Sequence, residues 1–187
     1  TREAAVTLDG NRVFLTDRNL RWKEAKAFLA RVCRLAEAER GDVVEEVCAR
    51  LGVSSEQAWN RTPMLTWDQV REMAEAGMEI GAHTVTHPVL SLLTPERQEQ
   101  EIRESVETLE RRLGVRPRCF AYPNGRAEDF DDTTVSLLRS QGLEAAYTTI
   151  LGTNSAASDP YRLKRGAGWS HQAWRYGLQM LWYRWTT

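Results

Sequence analysis

The chain has 187 residues, 42% hydrophobic and 27% charged, a balance that supports one substantial core and excludes an intrinsically disordered chain. Its formal net charge is -1, with basic residues interspersed among acidic ones, which removes the electrostatic case for nucleic acid as a partner. No apolar run approaches the ~20 residues needed to span a bilayer, and the first residues lack the basic-then-apolar pattern of a signal peptide.

Val6-Thr7-Leu8 and Val13-Phe14-Leu15 flank Asp9-Gly10-Asn11, residue types that tolerate the positive φ of tight turns, so a β-ribbon is expected to open the chain. From Trp22 to about Glu39, the apolar residues Trp22, Ala25, Phe28, Leu29, Val32, Leu35 and Ala36 recur at helical spacing. Val43 to Leu51 reads as a second helix stopped by Gly52, and Ser54 or Ser55 caps a third running to Asn60. Cys33, Cys48 and Cys119 are odd in number and form no Cys-x-x-Cys pair, which points to buried thiols, with a single disulfide between two of them as the alternative.

From Thr66 onward, helices and short apolar strands alternate with glycine stops, the grammar of a β/α fold. Thr66 and Gln69 make a capping box for a helix that turns Val70, Met73 and Ala74 inward and stops at Gly77. Met78 to Ala82 reads as a buried strand. Thr94-Pro95-Glu96 sets a cap, a first-turn proline and a first-turn acid before the stripe Ile102, Val106, Leu109 and Leu113, ending at Gly114. Cys119 to Tyr122 is the next strand, Asp131 to Gln141 a helix stopped by Gly142, Ala145 to Thr149 a strand and Tyr161 to Arg165 a final strand. Trp174, Leu178, Leu181 and Trp185 form a last helical stripe; packing on the domain is one reading, and an oligomer contact or attachment to a membrane surface is the other. The expected divisions are 1–61 for the ribbon and helices, 62–168 for the β/α core and 169–187 for the Trp-rich helix.

His83-Thr84-Val85-Thr86-His87-Pro88 is the sharpest chemical feature, since two imidazoles four residues apart can close on one metal ion. Two ordinary polar histidines are the alternative, and no Glu follows His83, against the zinc-peptidase pattern. The pair stands where the Met78–Ala82 strand should end, and the next strand ends in the rigid turn Tyr122-Pro123-Asn124-Gly125. Sites in β/α folds gather at such strand ends.

Leu65-Thr66-Trp67-Asp68-Gln69-Val70 and the run from Gly77 to Pro88 resemble the second motif region of the polysaccharide deacetylases, carbohydrate esterase family 4. Phe120-Ala121-Tyr122-Pro123-Asn124-Gly125 is similar to the third motif. Gly142-Leu143, Ala145 to Thr149 and Leu163-Lys164-Arg165 resemble the family's segments downstream of that motif, so that the likeness spans Met64 to Gly168. The resemblance implies an α/β fold: a distorted (β/α) barrel, incomplete here and carrying a helical N-terminal insertion. It implies a divalent metal, usually zinc, held by His83, His87 and an aspartate, with a second aspartate as general base. It also implies an N-acetylated glycan as substrate, a backbone N–H of Asn124 facing the oxyanion, and substrate contacts at Tyr122 and Pro123.

The departures are as specific. The family's Thr-Phe-Asp-Asp-like motif precedes the histidines, and no such strand precedes His83 here; Phe130-Asp131-Asp132 has similar letters but runs into a helix, where acids are favoured by the dipole. Ala121 replaces an arginine, Asn124 an aromatic residue, and Leu163-Lys164-Arg165 a Leu-x-His, leaving Arg165 to orient an acid, bind substrate or lie solvated. His171 is a remote substitute for the missing acid. These departures leave two functional expectations: a deacetylase whose aspartates lie elsewhere, and a non-catalytic glycan-binding or assembly module of the same fold. A purely structural metal site ranks last, because such sites typically have four ligands and nothing in the spacing selects Asp68, Glu79 or Asp159 to join the pair.

Overall fold

A computed structural model describes residues 5–8, 11–14, 17–35, 37–54, 64–166 and 172–186. The chain divides into two units, Thr1–Leu65 and Thr66–Thr187.

In the first unit, β1 (Ala5–Leu8) pairs antiparallel with β2 (Asn11–Phe14), Leu8 opposite Asn11, as the alternating hydrophobics suggest. Helix α1 (Arg18–Val32) begins before Trp22, because Asp17 Oδ1 accepts from the amides of Asn19 at 2.7 Å and Leu20 at 2.9 Å and so caps it. It also ends earlier than the apolar periodicity suggests. Cys33 to Leu35 form a turn, and α2 (Glu37–Arg50) is a separate helix that reaches back well before Val43. Of the expected α1 stripe, Val32 is buried while Trp22 and Leu29 are exposed. The third helix, expected from Ser54 or Ser55 to Asn60, lies beyond its first residue outside the described residues.

The second unit opens with α3 (Trp67–Glu75). Its capping box is formed: Gln69 N–H donates to Thr66 Oγ1 at 3.2 Å and Thr66 N–H to Gln69 Oε1 at 2.8 Å. Val70, Met73 and Ala74 are half-buried. After a 3-10 turn at Leu90–Leu92 comes α4 (Pro95–Leu113), closed by Gly114 at φ 74. Thr94 stands at its N-cap but makes no side-chain capping bond to the helix. The remaining elements are β3 (Cys119–Ala121), α5 (Asp132–Ser140), β4 (Ala145–Leu151), a 3-10 turn at Pro160–Arg162, β5 (Leu163–Arg165) and α6 (Ala173–Thr186).

Strands β3, β4 and β5 form a parallel sheet in that order, with Cys119 opposite Ala145, Ala121 opposite Tyr147, and Tyr147 opposite Leu163. The expected strand at Met78 to Ala82 is reduced to one parallel bridge between Ala82 and Phe120. Gly81 explains the tight junction, since a Cβ there would lie 3.0 Å from the Cys119 carbonyl oxygen.

The core lies between the sheet and the helices α4 and α5, where Leu90, Ile102, Val106, Phe120, Leu138, Leu143 and Ala146 are buried. Each fully buried aliphatic side chain contributes about 1.5–3 kcal/mol. Along β4, Ala146 and Thr148 face that core, whereas Tyr147, Thr149 and Leu151 are exposed on the other face. In α6 the expected packing stripe is turned out, with Trp174, Leu178 and Leu181 exposed. The helix instead buries Tyr183, and Met180 lies against Gly166, where a missing side chain lets it approach. The side chain of Trp185 lies outside the described residues. Architecture is thus α/β with helices and a small parallel sheet.

Candidate metal centre

Ala82 N–H donates to Cys119 O at 2.8 Å, and Ala121 N–H donates to Ala82 O at 2.9 Å. This bridge releases the chain into His83 at the end of the sheet toward which β3 runs. His83 Nδ1 lies 2.7 Å from the Ala121 carbonyl oxygen. A carbonyl can only accept, so Nδ1 carries a proton, and in the neutral ring Nε2 is then the nitrogen with the lone pair a metal requires. The His83 and His87 rings stand edge to face, with centroids 4.8 Å apart and an interplanar angle of 77°.

The turn between them is strained. Thr84 has φ 62 and His87 φ 56, and a β-branched residue in the left-handed region is an outlier. Thr84 Oγ1 accepts from His87 N–H at 3.2 Å and donates to the His83 carbonyl at 2.5 Å. The amides of Val85 and Thr86 both donate to Glu101 Oε2, at 2.8 and 2.9 Å, and the Thr86 hydroxyl donates to Glu101 Oε1 at 2.9 Å.

Beside this turn, β3 ends in the second loop. Asn124 has φ 58, and with Thr84 and His87 it completes the set of non-glycine residues at positive φ among the described residues. Their gathering in two adjacent strand-end loops is the clustering of strain that accompanies functional sites. The Gly125 amide donates to Pro123 O at 2.6 Å, Thr149 N–H to Gly125 O at 2.8 Å and Thr149 Oγ1 to Asn124 O at 2.6 Å. Asn124 Nδ2 is buried with no acceptor among the described residues.

Other residues singled out from the sequence are placed differently. Tyr122 is 2% exposed, stacks on Phe130 at 3.8 Å between centroids and donates its hydroxyl to Tyr161 O at 2.7 Å. Burial pushes its phenol well above the ordinary value. Pro123 is also buried, so both side chains serve the core and the turn, and neither is open to a glycan. Arg165 closes β5, exposed. Asp131 caps α5, accepting from Thr134 N–H at 2.8 Å, and Asp132 pairs with Arg162 at 2.5 Å, in keeping with their reading as helix-start acids. His171 lies outside the described residues.

Among the described residues no group of three His, Cys, Asp or Glu side chains converges. Asp68 pairs with Arg71 at 2.7 Å, Asp159 with Arg162 at 3.6 Å, and Glu79 with Arg118 at 3.5 Å while accepting from Cys119 Sγ at 3.3 Å. Among the described residues the candidate donor set is therefore the His83 and His87 imidazoles alone. All three cysteines are half-buried free thiols.

Glu101 escaped the sequence reading. It sits one position before Ile102 of the apolar stripe and four after Arg97, as an ordinary surface ion pair would. Helical periodicity carries no trace of the turn it meets.

The family model for polysaccharide deacetylase matches residues 22–146. It begins inside α1, well before Met64, where the motif likeness starts. The YxkH protein of Bacillus subtilis, whose name refers it to the polysaccharide deacetylases, is 31% identical over 101 residues, 54% of this chain and 35% of that protein. The chain thus spans about a third of the length of this curated relative. Among solved structures, the Streptococcus pyogenes deacetylase PplD in complex with acetate is similar, with 34% identity and a TM-score of 0.51 over 55% of this chain and 44% of that one. IcaB from Ammonifex degensii is 26% identical, with a TM-score of 0.51 over 64% of this chain and 53% of its own. Because the family match takes in more than half of the residues and both loops of the site, the chain belongs to the polysaccharide deacetylase family.

Proposed function

We propose that the protein to which this chain belongs hydrolyses acetyl groups from an N-acetylated glycan, with His83 and His87 as two ligands of a divalent metal, zinc by the family resemblance. The observation that carries this reading is the His83 Nδ1 to Ala121 O contact, which makes Nδ1 the donor and leaves Nε2 as the nitrogen a neutral ring would offer to a metal. Support also comes from the likeness to the Streptococcus pyogenes deacetylase. A divalent ion held there lowers the pKa of a bound water and polarises a carbonyl.

The chain's own residues do the rest of what is proposed for them. The Asn124 backbone, turned by its positive φ, offers its N–H to the oxyanion that develops as the acetyl carbonyl is attacked. Arg165, at the end of β5, binds the glycan or orients the acid. The third ligand and the general base are aspartates contributed by residues other than those described, and the parallel sheet is one part of a distorted barrel. The absence of a third ligand among the described residues keeps a second reading alive, a glycan-binding module of the same fold that does no chemistry.

Zinc calorimetry on the 187-residue chain and on its His83→Ala, His87→Ala double variant tests the ligands. Acetate release from N-acetylglucosamine oligomers by the full-length protein tests the chemistry. Zinc uptake lost in the double variant, with acetate released only when both histidines are present, is the expected result. Identical titrations of the two chains would sink the ligand assignment, and zinc uptake without acetate release would leave the binding module.

A further inference from the structure

We infer that Glu101 is the positioning residue of the two-histidine site, holding the turn from His83 to His87 in the one conformation that sets both imidazoles side by side. Its consequence for metal affinity rests on the reading of His83 and His87 as ligands; its geometry does not.

Glu101 is 3% exposed, and a carboxylate is almost never so buried unless its oxygens are satisfied. Arg97 does little of this, since its guanidinium is 3.4 Å away and itself half in solvent. The short bonds come from the turn: two amides at 2.8 and 2.9 Å on Oε2 and the Thr86 hydroxyl at 2.9 Å on Oε1. The turn, for its part, needs an outside acceptor. With Thr84 at φ 62, the successive N–H groups of Val85 and Thr86 converge on one point, a concavity that favours an anion.

The support is rigid. Glu101 lies on α4 between Gln98, whose Oε1 accepts from Thr134 Oγ1 at 2.5 Å, and the fully buried Ile102 and Val106. A strained two-ligand turn is thereby tied to a helix anchored in the core, which is how ligand geometry is kept before a metal arrives.

Two variants separate position from charge. Glu101→Gln removes the charge but keeps one oxygen for both amides, with its NH2 able to donate to Thr86 Oγ1. Glu101→Asp keeps the charge but withdraws the carboxyl by one methylene, out of reach of the full set of bonds. Hydrogen exchange at the Val85 and Thr86 amides of the 187-residue chain, with Phe120 and Ala146 as core references, is measured together with zinc affinity. Glu101→Gln should stay near the wild type in both. Glu101→Asp should lose protection at Val85 and Thr86, retain it at the references, and bind zinc about 10–100-fold more weakly, the usual scale for outer-shell groups.

The reverse order, with Gln weak and Asp unchanged, would overturn the inference in favour of a simple charge effect, as would protection of both amides surviving in Glu101→Asp. If the wild-type chain takes up no zinc, the ligand reading fails, and exchange at Val85 and Thr86 alone decides whether Glu101 holds the turn.

Discussion

Replacing Gly125 by alanine should be among the most damaging single-methyl additions in the second unit. Gly125 has φ +71, and a Cβ built there would lie 2.8 Å from Thr149 N, 3.2 Å from Thr149 Cγ2 and 3.2 Å from Tyr122 O. Two of these three neighbours are backbone atoms, so no flexible side chain can yield. The left-handed backbone alone costs a non-glycine residue about 1–2 kcal/mol. Relief of the contact must move Thr149, whose amide donates to Gly125 O at 2.8 Å, and losing that bond costs about 1 kcal/mol more. The sum is roughly 2–3 kcal/mol. Gly114 is the natural control, with φ +74 and nothing within 4 Å of a built Cβ, so that Gly114→Ala should show the conformational cost alone. Urea denaturation read through exchange of the Phe120 and Ala146 amides, both in the core of the same unit, compares the two variants directly. Equal losses for Gly114→Ala and Gly125→Ala would refute the close-approach argument.

Leu138→Ala, at a fully buried position between α5 and the sheet, should cost about 2–5 kcal/mol in the same denaturation experiment, while retained stability would mean that the core collapses to fill the gap. Burial, followed by the hydrogen bond to Glu79, raises the Cys119 thiol above its ordinary value of 9.0. A raised folded-state value stabilises the fold below the ordinary pKa and loses that contribution as pH climbs through the folded one. The pH profile of Cys119 alkylation should therefore have its midpoint above 9.0, and a midpoint at or below it would contradict the placement of the thiol.

The expected ribbon and three of the expected strands are present, but Met78 to Ala82 is not a strand, and the reason is visible in its pairing. Those residues have the apolar, β-competent character of a strand, but only Ala82 meets Phe120, and Met78 is exposed. Hydrogen-bonding partners from another segment make a strand, and no local pattern reports whether they are there. Helices with punctuation at both ends fared better. Thr66 with Gln69, and Asp131 opening α5, are local hydrogen bonds between residues three apart, so the chain carries their information in itself. Where such punctuation was overlooked, at Asp17, the expected boundary of α1 was misplaced.

The amino-acid sequence by itself determined the family motifs, the capped helices and the spacing of His83 and His87, because each depends on residues only a few positions apart. Only the tertiary structure decided that Tyr122 faces the core, that α6 turns Trp174, Leu178 and Leu181 outward, and that Glu101 meets the amides of Val85 and Thr86. These depend on which segments come together across 15 or more positions of chain, and helical periodicity says which face of a helix is apolar without saying what will lie against it.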